Sequence, residues 1–213
     1  MTIRLQQVFP TYLSKTQVEQ SSLWKKDLEF RKGEKIHIIA PSGSGKTSLI
    51  HFLYGMRSDF EGRILYGEQS VASIDAESLA NLRKKNISIV FQDLRLFPEH
   101  TVTENIEVKR ALEPFHSESR TGEMLQRLGL DTKARSLCRQ CSYGEQQRIA
   151  IIRSLQQPFD FLLLDEPFSH LDENNRKLAM ALIEEEADQR GAGILFADLK
   201  EIDYFHFDRK IFL

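Results

Sequence analysis

Apolar and polar positions alternate along Ile3 to Val8 and again along Leu28 to Phe30, the period of strands with one buried face. Both read as short strands of an antiparallel layer, and the polar stretch Ser14 to Ser22 between them reads as a loop. Lys32-Gly33-Glu34 is a turn feeding the strand Lys35 to Ala40, whose isoleucines make it a β-branched run suited to a buried position. A glycine-rich turn follows, then a helical pattern from Lys46 to about Gly55, and Ile87 to Phe91 reads as another short strand. From Thr101 to Gln140 apolar residues recur at helical spacing, as in Val102 and Ile106 or Met124, Leu125 and Leu128. Pro114 and Gly129 break this region into several short helices. Next come a helix from about Gly144, the strand Phe161 to Leu164, a helix from Glu173 to Arg190, the strand Gly193 to Phe196 and a closing strand Lys210 to Leu213. Strands alternating with helices predict a mainly parallel sheet covered on both faces. Ile36–Ile39 and Phe161–Leu164, the two continuous apolar strands, are expected at its centre.

The expected class is therefore α/β, with an N-terminal antiparallel layer and a helical lobe at about 100–155 inserted in one domain spanning 1–213. With 41% hydrophobic and 28% charged residues the chain can bury a core, which excludes wholesale disorder. Its 29 Lys+Arg against 31 Asp+Glu give a net charge of −2, so nucleic acid is not expected as a partner. Cys138 and Cys141 form a C-x-x-C spacing with no second pair to complete a zinc site and no thioredoxin-like surroundings, and they read as two unrelated thiols. No apolar run approaches the roughly 20 residues that cross a bilayer. The start, Met1 to Leu5, lacks the apolar stretch of a signal peptide, so a soluble cytoplasmic protein is expected.

Candidate chemistry begins at Ala40-Pro41-Ser42-Gly43-Ser44-Gly45-Lys46-Thr47, which fits the phosphate-binding pattern G-x-x-x-x-G-K-[ST] except for alanine in the first place. Gly43 and Gly45 let the backbone curl so that N–H groups face a phosphate at the positive end of the next helix. Lys46 can reach β- and γ-phosphates, and the Thr47 hydroxyl can ligate Mg²⁺. Asp165 and Glu166 end the strand Phe161–Leu164, at the carboxyl edge where ligands of open α/β sheets bind. Asp165 is the candidate Mg²⁺ ligand and Glu166 the candidate base.

With these motifs in place the chain resembles the ATP-binding cassette ATPases, the nucleotide-hydrolysing subunits of ABC transporters. Val90-Phe91-Gln92-Asp93 is similar to the family's Q-loop, which implies a Mg²⁺- and water-sensing role for Gln92. Cys141-Ser142-Tyr143-Gly144-Glu145-Gln146-Gln147-Arg148 resembles the signature motif, Leu164 to Pro167 the Walker B end, and Ser169-His170-Leu171-Asp172 the D-loop. The resemblance also implies that Tyr12 stacks on adenine, that Ser48 completes the phosphate loop, and that ATP and Mg²⁺ are the ligands. It further implies a head-to-tail homodimer closing on ATP, in which Ser142 and Gly144 cap the partner's γ-phosphate, and a separate transmembrane permease at the inner face of the cell membrane. A hydrolysis-impaired ATP clamp on a membrane partner is the alternative, and a soluble cassette acting on DNA or the ribosome is a further rival.

Three positions depart from the family pattern. Tyr143 stands where the signature keeps glycine, and Ser142-Tyr143-Gly144 also reads as an ordinary helix start with serine as N-cap. His170 replaces a small D-loop residue and reads as a surface histidine. None of the six histidines follows the strand Gly193–Phe196, where the family places a switch histidine; Asp198 stands there, and slow turnover is expected.

Overall fold

The computed structural model describes residues 1–213. In chain order the first elements are β1 (Thr2–Pro10), α1 (Lys15–Gln20), β2 (Leu28–Arg31), β3 (Lys35–Ile39) and α2 (Lys46–Leu53). They are followed by β4 (Phe60–Tyr66), β5 (Gln69–Ser70), α3 (Ala76–Lys85) and β6 (Ile87–Val90). Then come α4 (Val102–Arg110), α5 (Glu118–Arg127), α6 (Tyr143–Ser154), β7 (Phe161–Asp165), α7 (Glu173–Arg190), β8 (Gly193–Asp198) and β9 (Arg209–Phe212). No helix is long and apolar enough to cross a membrane.

Two sheets form. One is antiparallel with strand order β2-β1-β4-β5, and the other is parallel with order β6-β7-β8-β3-β9. The parallel sheet has a core on each face, as its uninterrupted apolar strands require. Leu162, Leu164, Ile194 and Phe196 face the core that also holds Val102, Ile106, Met124 and Ile149 of the helical region. Leu163, Leu195, Ile36 and Ile38 face the core shared with α2 and the antiparallel sheet.

Two expectations are corrected. The centre of the parallel sheet is β8, with β7 and β3 on either side of it, so the two most apolar strands flank the middle. The stretch Ser14 to Ser22 is not a loop throughout, because Lys15–Gln20 forms a short helix. Ser14 caps it by accepting from the Gln17 N–H while Gln17 reaches back to the Ser14 N–H, and Val18 is its one buried residue. A single buried side chain leaves no apolar period to read. β4, β5 and α3 lie outside the elements read from the sequence; α3 has no fully buried residue and packs against the core only through Leu79 and Leu82, one turn apart.

Candidate functional site

Register brings the motifs together. Asp165 pairs with Ala197 and Ile39 pairs with Asp198, so the carboxyl ends of β7, β8 and β3 lie side by side. The loop from Pro41 to Gly45 leaves β3 there and enters α2 with Gly43 at φ 82° and Gly45 at φ 95°, a left-handed turn that favours glycine. A Cβ on Gly45 would also stand 3.0 Å from the Trp24 ring. Ala40 has no positive φ, so the alanine in the first motif position is accommodated. α2 is the one α-helix whose N-cap makes no side-chain hydrogen bond, which leaves its first N–H groups and the positive end of its dipole free for an anion.

Lys46 is 6% exposed and reaches under the loop to Asp165 Oδ1 at 2.8 Å and Glu166 Oε1 at 2.6 Å. Burial pulls its pKa down, but Asp165 and then Glu166 outweigh that, so the ammonium is held above the ordinary lysine value. Thr47 Oγ1 donates to Gln92 Oε1 at 3.2 Å. Asp165 Oδ2 is buried with no hydrogen-bond partner. Thr47 and Gln92, in contact and on the lining of one cavity, and the open Asp165 Oδ2, which is buried off that lining behind Lys46, are hard oxygen donors of the kind a divalent cation takes. Glu166 adopts φ 47°, in the left-handed region, and its N–H donates to the Ala197 carbonyl at 2.9 Å. For a non-glycine residue that backbone costs on the order of 1–2 kcal/mol, strain of the kind that clusters at working sites.

A cavity of about 240 Å³ is lined by Tyr12, Ser42, Gly43, Gly45, Lys46, Thr47, Ser48, Gln92, Glu166 and Leu199. Tyr12 is exposed, and its hydroxyl meets Ser48 Oγ. Pro41, Ser44 and Asp165 lie outside the lining; Ser44 Oγ donates to the Pro41 carbonyl at 2.8 Å and stiffens the turn. Asp198 borders a neighbouring cavity of about 770 Å³ that it shares with Glu166. Burial first, and Glu166 next among the groups that act the same way, raise its carboxyl above the ordinary aspartate value, while its own chain neighbour, the Leu199 N–H, donates to Oδ1 at 2.6 Å. The residue after β8 that lines the phosphate-side cavity is Leu199.

Ser142 is the N-cap of α6, accepting from the Glu145 N–H at 3.2 Å, while Glu145 Oε2 accepts from the Ser142 N–H at 2.8 Å. This capping box uses a lone pair of the serine and leaves its O–H free to donate. Gly144 is needed for closeness, since a Cβ there would stand 3.0 Å from the His170 carbonyl oxygen. Ser142 and Gly144 are not among the residues lining the phosphate-side cavity, so within one chain they do not meet Lys46. Both cysteines are buried, and burial pushes the Cys138 thiol up to about 11 and raises Cys141 too, which suits two unreactive thiols.

Two residues of the site have no motif to announce them. The indole of Trp24 donates to the Ser44 carbonyl at 3.1 Å and props the phosphate loop from below. Arg57 sets its guanidinium 5.5 Å from the Tyr12 ring and donates to Ser48 Oγ at 2.8 Å. A lone tryptophan between two strands was the one sequence hint of such a prop.

The family model for ABC transporters matches residues 23–169. The chain is 33% identical over 179 residues to the pyoverdine export ATP-binding/permease protein PvdT of Pseudomonas fluorescens (strain Pf0-1), covering 83% of this chain and 27% of that protein. It thus spans about a quarter of that relative's length. It is 35% identical over 170 residues to the lipoprotein-releasing system ATP-binding protein LolD of Buchnera aphidicola subsp. Schizaphis graminum, covering 78% of this chain and 73% of LolD. Among solved structures, the dimeric bacterial ABC transporter cassette MJ0796 superposes with a TM-score of 0.79 at 26% identity, over 93% of this chain and 88% of that one.

Proposed function

The chain belongs to the ABC transporter family, and from that premise we propose that it binds and hydrolyses ATP as the motor subunit of an ABC-type membrane complex. The observation that carries this reading is Lys46, held between Asp165 and Glu166 beneath an uncapped helix start, with Thr47 and Gln92 in contact beside it.

The phosphates of ATP lie against the N–H groups of Gly43 to Thr47 and the start of α2, with adenine on the exposed ring of Tyr12. Thr47, Gln92 and Asp165 would hold Mg²⁺, which when bound neutralises charge on the β- and γ-phosphate oxygens. Lys46, now shared with the γ-phosphate, loosens its pair with Glu166. Glu166 then accepts a hydrogen bond from water and takes its proton as the water oxygen bonds to the γ-phosphorus. The bond from that phosphorus to the β–γ bridging oxygen breaks, and ADP leaves with the electron pair. Burial first, and then Glu166, raise the Asp198 carboxyl above the ordinary aspartate value, and its proposed part beside Glu166 is electrostatic.

The free O–H of Ser142 and the N–H at Gly144 support a head-to-tail pair in which a second copy completes each site. The permease is proposed as a separate polypeptide, with this chain held through it at the inner face of the membrane. The matched relatives are named for export or lipoprotein release, which supports an outward-acting complex. The test is Glu166→Gln in the purified chain: MgATP turnover is expected to collapse while sizing shows a nucleotide-dependent shift to dimer. Turnover equal to that of the unaltered protein would remove Glu166 from the reaction.

A further inference from the structure

We propose that Tyr143 is a positioning residue whose hydroxyl ties the start of α6 to the Q-loop carbonyl of Gln92, so that filling this chain's own nucleotide site sets the pose of the edge Ser142–Gly144. This rests on the ATP reading above and adds to it a link between the two faces of the molecule that handle ATP.

Gln92 touches both faces. Its side chain meets Thr47 Oγ1 at 3.2 Å, and its main-chain carbonyl accepts from the Tyr143 hydroxyl at 3.3 Å. The far end of α6 grips the same loop. Arg153, buried, donates from Nη1 to the Arg95 carbonyl at 2.7 Å and from Nη2 to the Leu94 carbonyl. Leu94 and Arg95 are consecutive non-glycine residues at φ 57° and 49°, a backbone that L side chains resist. One helix therefore holds a strained loop at two points.

The two grips differ in character. Arg153, 9% exposed, makes two charge-assisted bonds, whereas Tyr143 makes one neutral bond and is 43% exposed. The tyrosine end is the one that can open and close. Its movement carries the helix start with it, because the ring packs edge-on against His170 at 4.3 Å between centroids. Gln147 in turn holds Ser169 Oγ at 2.9 Å and the His170 N–H at 3.0 Å. A glycine at position 143, as in the resembled signature, would offer neither bond nor ring.

Tyr143→Phe keeps the ring and removes the donor. The experiment measures the Kd for MgATP of each full-length chain, then hydrogen exchange of the amides 143–147 with and without saturating MgATP, at a concentration where sizing shows monomer. MgATP is expected to slow these amides about three- to tenfold in the unaltered protein, the worth of one hydrogen bond. Tyr143→Phe is expected to keep the same Kd and lose most of that response. A full response in Tyr143→Phe, or no response in an unaltered chain that binds MgATP, overturns the proposal. A chain with no measurable MgATP affinity overturns the ATP reading itself and the tether with it, and the Kd separates that result from the others.

Discussion

Replacing Lys46 by methionine removes a charge while keeping most of the stem's volume, so its consequences are electrostatic and come in two parts. The first is affinity. A charge-assisted hydrogen bond to phosphate is worth about 1.5–3 kcal/mol, so MgATP binding is expected to weaken by about ten- to a hundredfold or more. The second is stability. Lys46, Asp165 and Glu166 have side chains 6%, 1% and 11% exposed, and breaking a buried ion pair from one side costs about 3–5 kcal/mol because the carboxylates stay behind uncompensated. The sign of the pH dependence follows from the raised pKa of Lys46. Its stabilisation is fully present below the unfolded lysine value of about 10.4 and is lost as pH rises through the higher folded value. The gap in unfolding free energy between the two proteins is thus wide at neutral pH and narrows in that alkaline window. Urea unfolding at several pH values measures it, and calorimetric titration measures affinity. Lys46→Met with Asp165→Asn separates the parts, since it removes one of the two stranded carboxylates and should recover part of the stability without recovering ATP binding. Unchanged nucleotide affinity in Lys46→Met would refute the phosphate-loop assignment, and unchanged stability would refute the buried triad.

Two further outcomes follow from the ends of the strands. Leu199→His, which places a donor on the lining of the phosphate-side cavity, is expected to raise MgATP turnover at least about tenfold, a modest share of what such contacts supply. Asp198→His should change turnover less, and the opposite order in a steady-state assay would place the switch role at position 198. His37 is fully buried, its ring stacked on Phe207 at 4.6 Å, and burial with Lys210 pushes its pKa down to about 4. The unfolded chain then binds one more proton between pH 6.5 and 4, so stability falls through that window by about 3 kcal/mol. His37→Phe should remove that part of the acid slope in thermal melts, and an unchanged slope would contradict it.

What could be read from the sequence was chemistry at fixed spacing. A lysine and threonine after a glycine turn, and two carboxylates after an apolar strand, belong together because phosphate and cation binding require those groups in that order. Helices with a buried stripe and uninterrupted strands were legible for a similar reason, since burial imposes a period. Where few residues touch the core the pattern is short: α1 buries only Val18, and α3 offers only Leu79 and Leu82. Strand order was not legible at all. Nothing in Gly193 to Ala197 says that β8 lies between β7 and β3, because a strand at the centre and one beside it are equally covered on both faces.

Tyr143 marks the limit most clearly. In the sequence it is a bulky residue where the resembled motif keeps a glycine. In the fold the demand for closeness falls one residue later, at Gly144, whose missing Cβ makes room for the His170 carbonyl. The side chain at 143 points back from the helix start, so its hydroxyl reaches the Gln92 carbonyl and its ring lies edge-on against His170, while Gly144 stays against the His170 carbonyl. Within one chain, a substitution that looks damaging along the motif thus meets no clash, Tyr143 being 43% exposed. Its cost or benefit depends on the bond it makes to the Gln92 carbonyl and on its ring contact with His170.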